Sequence, residues 1–175
     1  MSIFNLKKQG TVVVKNGDKT VARKHTIMIV DDEEKQLSSL EFLLSEEYIV
    51  IAARNGQEAL DKINGLENPN EISVIISDQR MPMMTGIQLF EELITLIPKT
   101  SRILITAFKD TPAFLDPYEF ILKPFNPEDF KTSVKRAVED FENRKHEEEE
   151  KRILGKRAHV IEEDINQVYI NGVNF

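Results

Sequence analysis

The sequence predicts an α/β fold: a doubly wound, five-stranded parallel sheet with a shortened fourth helix and an extended C-terminal helix. Three observations predict it. Short apolar runs alternate with stretches of helical spacing, and the alternation repeats five times. Such turn-taking implies a parallel sheet with helices on both faces. Polar residues capable of chemistry stand at the ends of the runs, where ligands bind in sheets of this kind.

The first run, "TIMIV" (26–30), is followed by Leu37, Leu40, Phe42, Leu43 and Leu44 at helical spacing. "YIVIAA" precedes Ala59, Leu60 and Ile63. "ISVIIS" precedes Ile87, Leu89, Phe90, Leu93 and Ile94. "RILIT", a short segment and "EFIL" close the series before a helix beginning near Pro127. There, Asn126-Pro127-Glu128 is an N-cap signal, and Phe130, Val134, Ala137, Val138 and Phe141 define one buried face. Ahead of this series, "TVVVKNGDKTVA" places an Asn16-Gly17 turn between two β-prone runs, a hairpin signal.

The chain has 175 residues, 41% hydrophobic and 30% charged, enough for one domain with an appendage. It contains no cysteine, which removes disulfides and thiolate metal sites from consideration. No apolar run approaches the roughly 18 residues of a membrane span, and the first ten residues lack a signal-peptide core, so a cytoplasmic location is expected. The net charge of −7 is uneven: Lys7, Lys8, Lys15, Lys19, Arg23 and Lys24 against Asp18 give the first 24 residues a net +5. A basic arm of this kind either touches an acidic partner or is solvated; without interleaved aromatic residues, nucleic acid is not expected as its partner. The expected organisation is a basic arm over 1–24, a domain over 25–141 and a charged helical extension over 142–175.

"IMIVDDEEKQ" ends an apolar strand directly in four carboxylates. Such crowding is costly unless positive charge offsets it. The first strand ends in Asp31-Asp32, the third in Ser77-Asp78, the fourth in Thr106 and the fifth in Lys123-Pro124, all toward one crevice. Asp31, Asp32 and Asp78 together suit a hard divalent cation, Mg2+, which takes oxygen ligands and keeps several waters. Asp78 is then a candidate nucleophile toward a phosphoryl group, since a carboxylate can attack phosphorus to form an acyl phosphate. Lys123 and Thr106 supply the cationic and hydroxyl partners that a phosphoryl group needs, beside a small Ala107. Taken singly, the same residues have plain readings: Asp31-Asp32 as a helix N-cap, Asp78 as a turn initiator, Thr106 as a strand residue and Phe120 as core.

The motifs "IVDDEE", "VIISDQRMPMMTGIQL", "ILITAF" and "EFILKPF", in this order, resemble the receiver domain of two-component response regulators over roughly residues 25–141. The resemblance implies a flavodoxin-like sheet of order 2-1-3-4-5. It implies Asp78 as phosphoacceptor for a sensor histidine kinase, Asp32 as a direct Mg2+ ligand, and Asp31 acting on the metal mainly through water. It further implies the backbone carbonyl of Arg80 as a metal ligand, Thr106 and Lys123 as holders of the phosphoryl group, Phe120 as an aromatic switch and a cis Lys123-Pro124 bond.

The sequence also departs from the family. Thr106 to Lys123 spans 17 positions, about five fewer than usual, or about 7 Å of helix. The shortened piece falls on "FKDTPAFLDPYEF", with Asp110 or Thr111 as N-cap, Pro112 in the first turn and Pro117 blocking extension. The switch surface is therefore expected to be altered. Arg80 and Phe108 flank the path of a hydrolytic water without offering a carboxylate or amide to orient it, which predicts a long-lived acyl phosphate.

Beyond residue 142, Leu154, Ala158, Ile161, Ile165 and Val168 alternate steps of four and three, as a coiled-coil seam does, with Gly155 at a break in phase. A long helix pairing with a second copy or an effector protein is expected; the plain alternative is a helix ending near Asn143 with a charged tail. His159 lacks the acidic neighbour of a phosphoryl-accepting histidine, since Val160 follows it. Two other functions compete. One is a phosphorylation-independent scaffold. The other is an aspartate-nucleophile phosphatase using Asp31, which the Glu33 and Lys35 that follow do not favour.

Overall fold

The computed structural model describes residues 11–16, 19–107 and 118–171, with side-chain surroundings described for 24–107 and 119–157. The predicted fourth helix, its caps and Phe108 lie outside the described residues, as does part of the predicted Asn16-Gly17 turn. The chain forms two units, Met1–Phe141 and Glu142–Phe175.

Strands β1 (Thr11–Asn16) and β2 (Lys19–Lys24) pair antiparallel from Thr11↔Lys24 to Asn16↔Lys19, the hairpin read from the sequence. The main sheet contains β3 (Thr26–Val30), β4 (Ile49–Ala53), β5 (Ile72–Asp78), β6 (Ser101–Thr106) and β7 (Tyr118–Leu122). Its order is β4-β3-β5-β6-β7, all parallel, which is 2-1-3-4-5 counted from β3. Helices α1 (Glu34–Ser45), α2 (Gly56–Asn64) and α3 (Gly86–Leu96) connect the strands, and α4 (Pro127–Asn171) follows β7.

Alternate strand residues serve opposite faces, because a strand repeats every two residues. Ile27, Ile29, Val74, Ile76, Ile103 and Ile105 pack with Leu37, Leu40 and Leu44 of α1 and with Phe130, Val134 and Val138 of α4. Met28, Val30, Ile75 and Leu104 pack on the other side with Ala59 and Ile63 of α2 and with Leu89, Phe90 and Leu93 of α3. Both faces of β5 are covered and all seven of its residues are buried. Phe90, Phe130 and Phe141 are among the largest fully buried side chains, each worth about 2–3 kcal/mol by removal from water.

Helix starts follow from short polar side chains. Asn55 accepts a hydrogen bond from the Glu58 N–H at 2.8 Å, and Thr85 forms a capping box with Gln88. Asn126 accepts one from the Glu128 N–H at 2.8 Å, as the sequence signal predicts. The end of α3 is closed by a residue the sequence reading overlooked: Arg102 is buried and donates to the carbonyls of Leu93, Ile97 and Thr100, placing a cation at the negative, carbonyl end of the helix.

Candidate functional site

In a parallel sheet the winding direction reverses where two successive connections leave on opposite faces, and a crevice opens at the strands' C-terminal ends. Here the reversal falls at β3, which pairs with β4 on one side and β5 on the other. Asp31 follows β3 and Asp78 ends β5, so the topology alone brings them to the crevice. Thr106 ends β6, and the chain leaving β7 returns Lys123, whose N–H donates to the Thr106 carbonyl at 2.8 Å.

Asp78 is buried, and both of its oxygens are engaged. Lys123 Nζ lies 2.5 Å from Oδ1, and the Arg80 N–H donates to Oδ2 at 2.6 Å. The second contact is the turn-initiating role that Asp plays in loops; the first joins residues 45 apart in sequence. Asp31 is buried as well. Its Oδ1 accepts from the Glu33 N–H at 2.8 Å, its Oδ2 accepts from Gln36 Nε2 at 2.7 Å, and Lys123 Nζ stands 3.9 Å away. Burial pushes the Asp31 carboxyl up from 3.8 to about 6, helped by the negative charge of Asp78 and Asp32 and opposed by the Glu33 N–H and Lys123. Asp32 is exposed at the rim. Asp31 serves the turn into α1, but the N-cap position itself is Glu33, whose side chain makes no cap bond.

Thr106 is buried at the end of β6, and Ala107 is exposed beyond it. Phe120 is half-buried in β7 and packs against the core on the α2 and α3 side. The Lys123-Pro124 bond is cis.

Three supporting residues escaped the sequence reading. Gln36 holds Asp31; the signal available was an amide in the first turn of the helix that follows the acidic run. Gln79 fastens the loop after Asp78, its N–H donating to the Ile105 carbonyl at 2.9 Å and its Oε1 accepting from the Ile87 N–H at 3.2 Å. Gly86 is required by space: a Cβ there would lie 2.5 Å from the Asp78 carbonyl oxygen and 2.6 Å from Leu104 Cδ1. In the same loop Met83 has φ 69° and is 84% exposed, a left-handed conformation that non-glycine residues adopt at a cost.

Residues 27–135 match the family described as response regulator receiver domain. The chain belongs to that family. Among its relatives is the hydrogenase transcriptional regulatory protein HoxA of Cupriavidus necator, 32% identical over 123 residues, which cover 67% of this chain and 25% of HoxA. The receiver thus spans about a quarter of that relative's length. A receiver domain protein from Clostridium thermocellum superposes with a TM-score of 0.56 at 28% identity, covering 69% of this chain and 96% of that one. The response regulator TrrA from Thermotoga maritima, solved in complex with Mg2+-BeF, does so with a TM-score of 0.56 at 30% identity, covering 64% and 97%. Among the described residues, no helix is long and apolar enough to cross a membrane.

The crevice fits a divalent cation by charge and donor type. The Asp31 and Asp78 carboxylates face Lys123, with Asp32 next to Asp31 in the chain, the donors are hard oxygens, and burial raises the cost of leaving Asp31 charged. Among the described residues no group of three or more acidic, histidine or cysteine side chains could by itself hold a metal ion.

Proposed function

We propose that this receiver accepts a phosphoryl group on Asp78 from a sensor histidine kinase and passes the signal to an effector protein through an altered switch face or through its C-terminal helix. The observation that carries this reading is the 2.5 Å contact between Lys123 Nζ and Asp78 Oδ1. It sets a mobile cation on the carboxylate that would be modified.

In the proposed reaction an Asp78 oxygen attacks phosphorus. An oxygen–phosphorus bond forms, the donor's nitrogen–phosphorus bond breaks, and the electron pair returns to the donor imidazole. The rate depends on positioning and on neutralising charge at the phosphoryl oxygens. Lys123, already at the site, supplies one cation, and the Thr106 hydroxyl supplies a donor. Asp31, Asp32, Asp78 and the Arg80 carbonyl would hold Mg2+, which when bound supplies the remaining positive charge. Gln36 and the Glu33 N–H orient Asp31, and Gln79 fixes the backbone that aims Asp78. Phe120 is the proposed switch, sensing Thr106 from the neighbouring strand. Neither carboxylate nor amide is present at Arg80 to orient a hydrolytic water, and the acyl phosphate is expected to persist for minutes or longer. The receiver is expected to act in the cytoplasm, and not as an enzyme on other substrates.

Incubation with Mg2+ and a labelled small phosphodonor, beside Asp78→Asn, tests the assignment. Label on the wild type that is absent from the variant supports it. Absence of label with Mg2+ bound supports a phosphorylation-independent scaffold, and continuous phosphate release from varied esters supports a phosphatase. Decay of the label within seconds would refute the long lifetime.

A further inference from the structure

Asp31 and Asp78 are held alike on one side and differently on the other. Each has one oxygen on the backbone N–H two residues on: Glu33 donates to Asp31 Oδ1 at 2.8 Å, and Arg80 donates to Asp78 Oδ2 at 2.6 Å. The second oxygens differ in their donors. Asp78 Oδ1 takes a cation, Lys123 Nζ at 2.5 Å, whereas Asp31 Oδ2 takes a neutral amide, Gln36 Nε2 at 2.7 Å. The same Nζ stands 3.9 Å from that Asp31 oxygen, about 1 Å beyond hydrogen-bonding distance, a gap that a flexible lysine stem can cross.

Two carboxylates thus lie within reach of one ammonium, and the more buried of them goes without it. The Asp31 side chain is 2% exposed, against 10% for Asp78. Charge is less screened where water is excluded, so Asp31 should be the stronger claimant. We propose that Gln36 is a positioning residue that reserves Lys123 for Asp78. The proposal rests on the reading of Asp78 as phosphoacceptor. An amide satisfies the hydrogen-bonding need of Asp31 Oδ2 without cancelling its charge. Lys123 therefore stays on the carboxylate that would be modified, and Asp31 keeps its negative charge for a divalent cation.

The helix start explains why this amide is available. Gln36 is the third residue after Glu33, the N-cap of α1. At the same place in α3, Gln88 Oε1 accepts the N–H of its own cap, Thr85, at 2.9 Å and closes a capping box. In α1 the Glu33 N–H is already taken by Asp31 Oδ1. Gln36 is released from capping, and its NH2 end turns to Oδ2, an acceptor that only that end can serve.

Gln36→Met keeps the length of the side chain and a good helix former while removing the donor. It leaves Asp31 Oδ2 a buried charged acceptor with no amide, a costly state that a small movement of Lys123 relieves. Two measurements test this, neither of which uses phosphate. In a crystal structure of metal-free Gln36→Met, Nζ is expected within about 3 Å of Asp31 Oδ2; Nζ unmoved on Asp78 would overturn the proposal. In calorimetric titration of the full-length protein, Gln36→Met is expected to weaken Mg2+ binding about tenfold, because the ammonium then neutralises Asp31. With Lys123→Met also present, the same substitution is expected to change the affinity by less than about twofold, since the two residues act through one contact. An equal loss in both backgrounds would show that Gln36 merely holds Asp31 in place and would overturn the proposal, as would no loss in either. A wild type that takes up no Mg2+ would refute the metal site of the proposed function and leave the crystal structure to decide the role of Gln36. Absence of label on Asp78 would refute phosphoryl transfer alone.

Discussion

Replacing Asp31 by Asn is expected to stabilise the metal-free receiver at neutral pH. The carboxyl is buried, its side chain 2% exposed, and its pKa is raised from 3.8 to about 6. Holding that group charged in the folded state therefore costs about 3 kcal/mol relative to the unfolded chain. Asn keeps the acceptor for the Glu33 N–H, but its amide meets the donating Gln36, which must turn its own amide over. The net gain is then about 1–3 kcal/mol, or about 3–9 °C in melting temperature for a domain of this size.

The pH dependence has a definite sign. Between pH 4 and 6 the folded protein binds more protons at Asp31 than the unfolded chain, so stability from this group falls as pH rises through that window and is level above it. The variant lacks this fall. The gap between the two proteins should be small near pH 4 and fully open above pH 6, measured by urea denaturation with chelator present. Mg2+ at ten times its dissociation constant should stabilise the wild type by about 1.4 kcal/mol through mass action and stabilise the variant far less. A variant less stable than the wild type at pH 7.5, or a gap that ignores pH, would refute the reasoning.

Other substitutions probe the supports of the site. Gly86→Ala pushes a methyl against the Asp78 carbonyl and Leu104; a loss of about 1–3 kcal/mol is expected, with slower labelling of Asp78. Met83→Asn should raise stability by about 0.5–1 kcal/mol in a thermal melt, because Asn tolerates the left-handed backbone better. Arg102→Met removes the side-chain donors to the Leu93, Ile97 and Thr100 carbonyls, the first two of which keep backbone donors, and should cost about 1–3 kcal/mol in a urea melt, with Arg102→Lys intermediate because it lacks the planar fork.

What the sequence made legible was whatever depends on local pattern or on strand order. The apolar runs give the strands, their alternation gives the parallel sheet, and the rule for strand ends is enough to bring Asp31, Asp78, Thr106 and Lys123 to one edge. Partners chosen in three dimensions were not legible in the same way. Gln36 and Gln79 are ordinary polar residues until the fold sets them beside Asp31 and the loop after Asp78. Arg102 opens the apolar run "RILIT", and only the end of α3 packed against it explains its burial. The long helix was legible from its N-cap signal and helical spacing, and it runs to Asn171.

The complete enclosure of β5 has a consequence for time rather than for shape. Its amide hydrogens exchange with solvent only when the entire domain opens, so Ile75, Ile76 and Ser77 should be among the slowest residues to take up deuterium. Asp78 is anchored at the end of that quiet strand. On the proposed reading, a chemical mark written there would be insulated from fraying elsewhere in the protein, and its duration would be set by attack from the open rim.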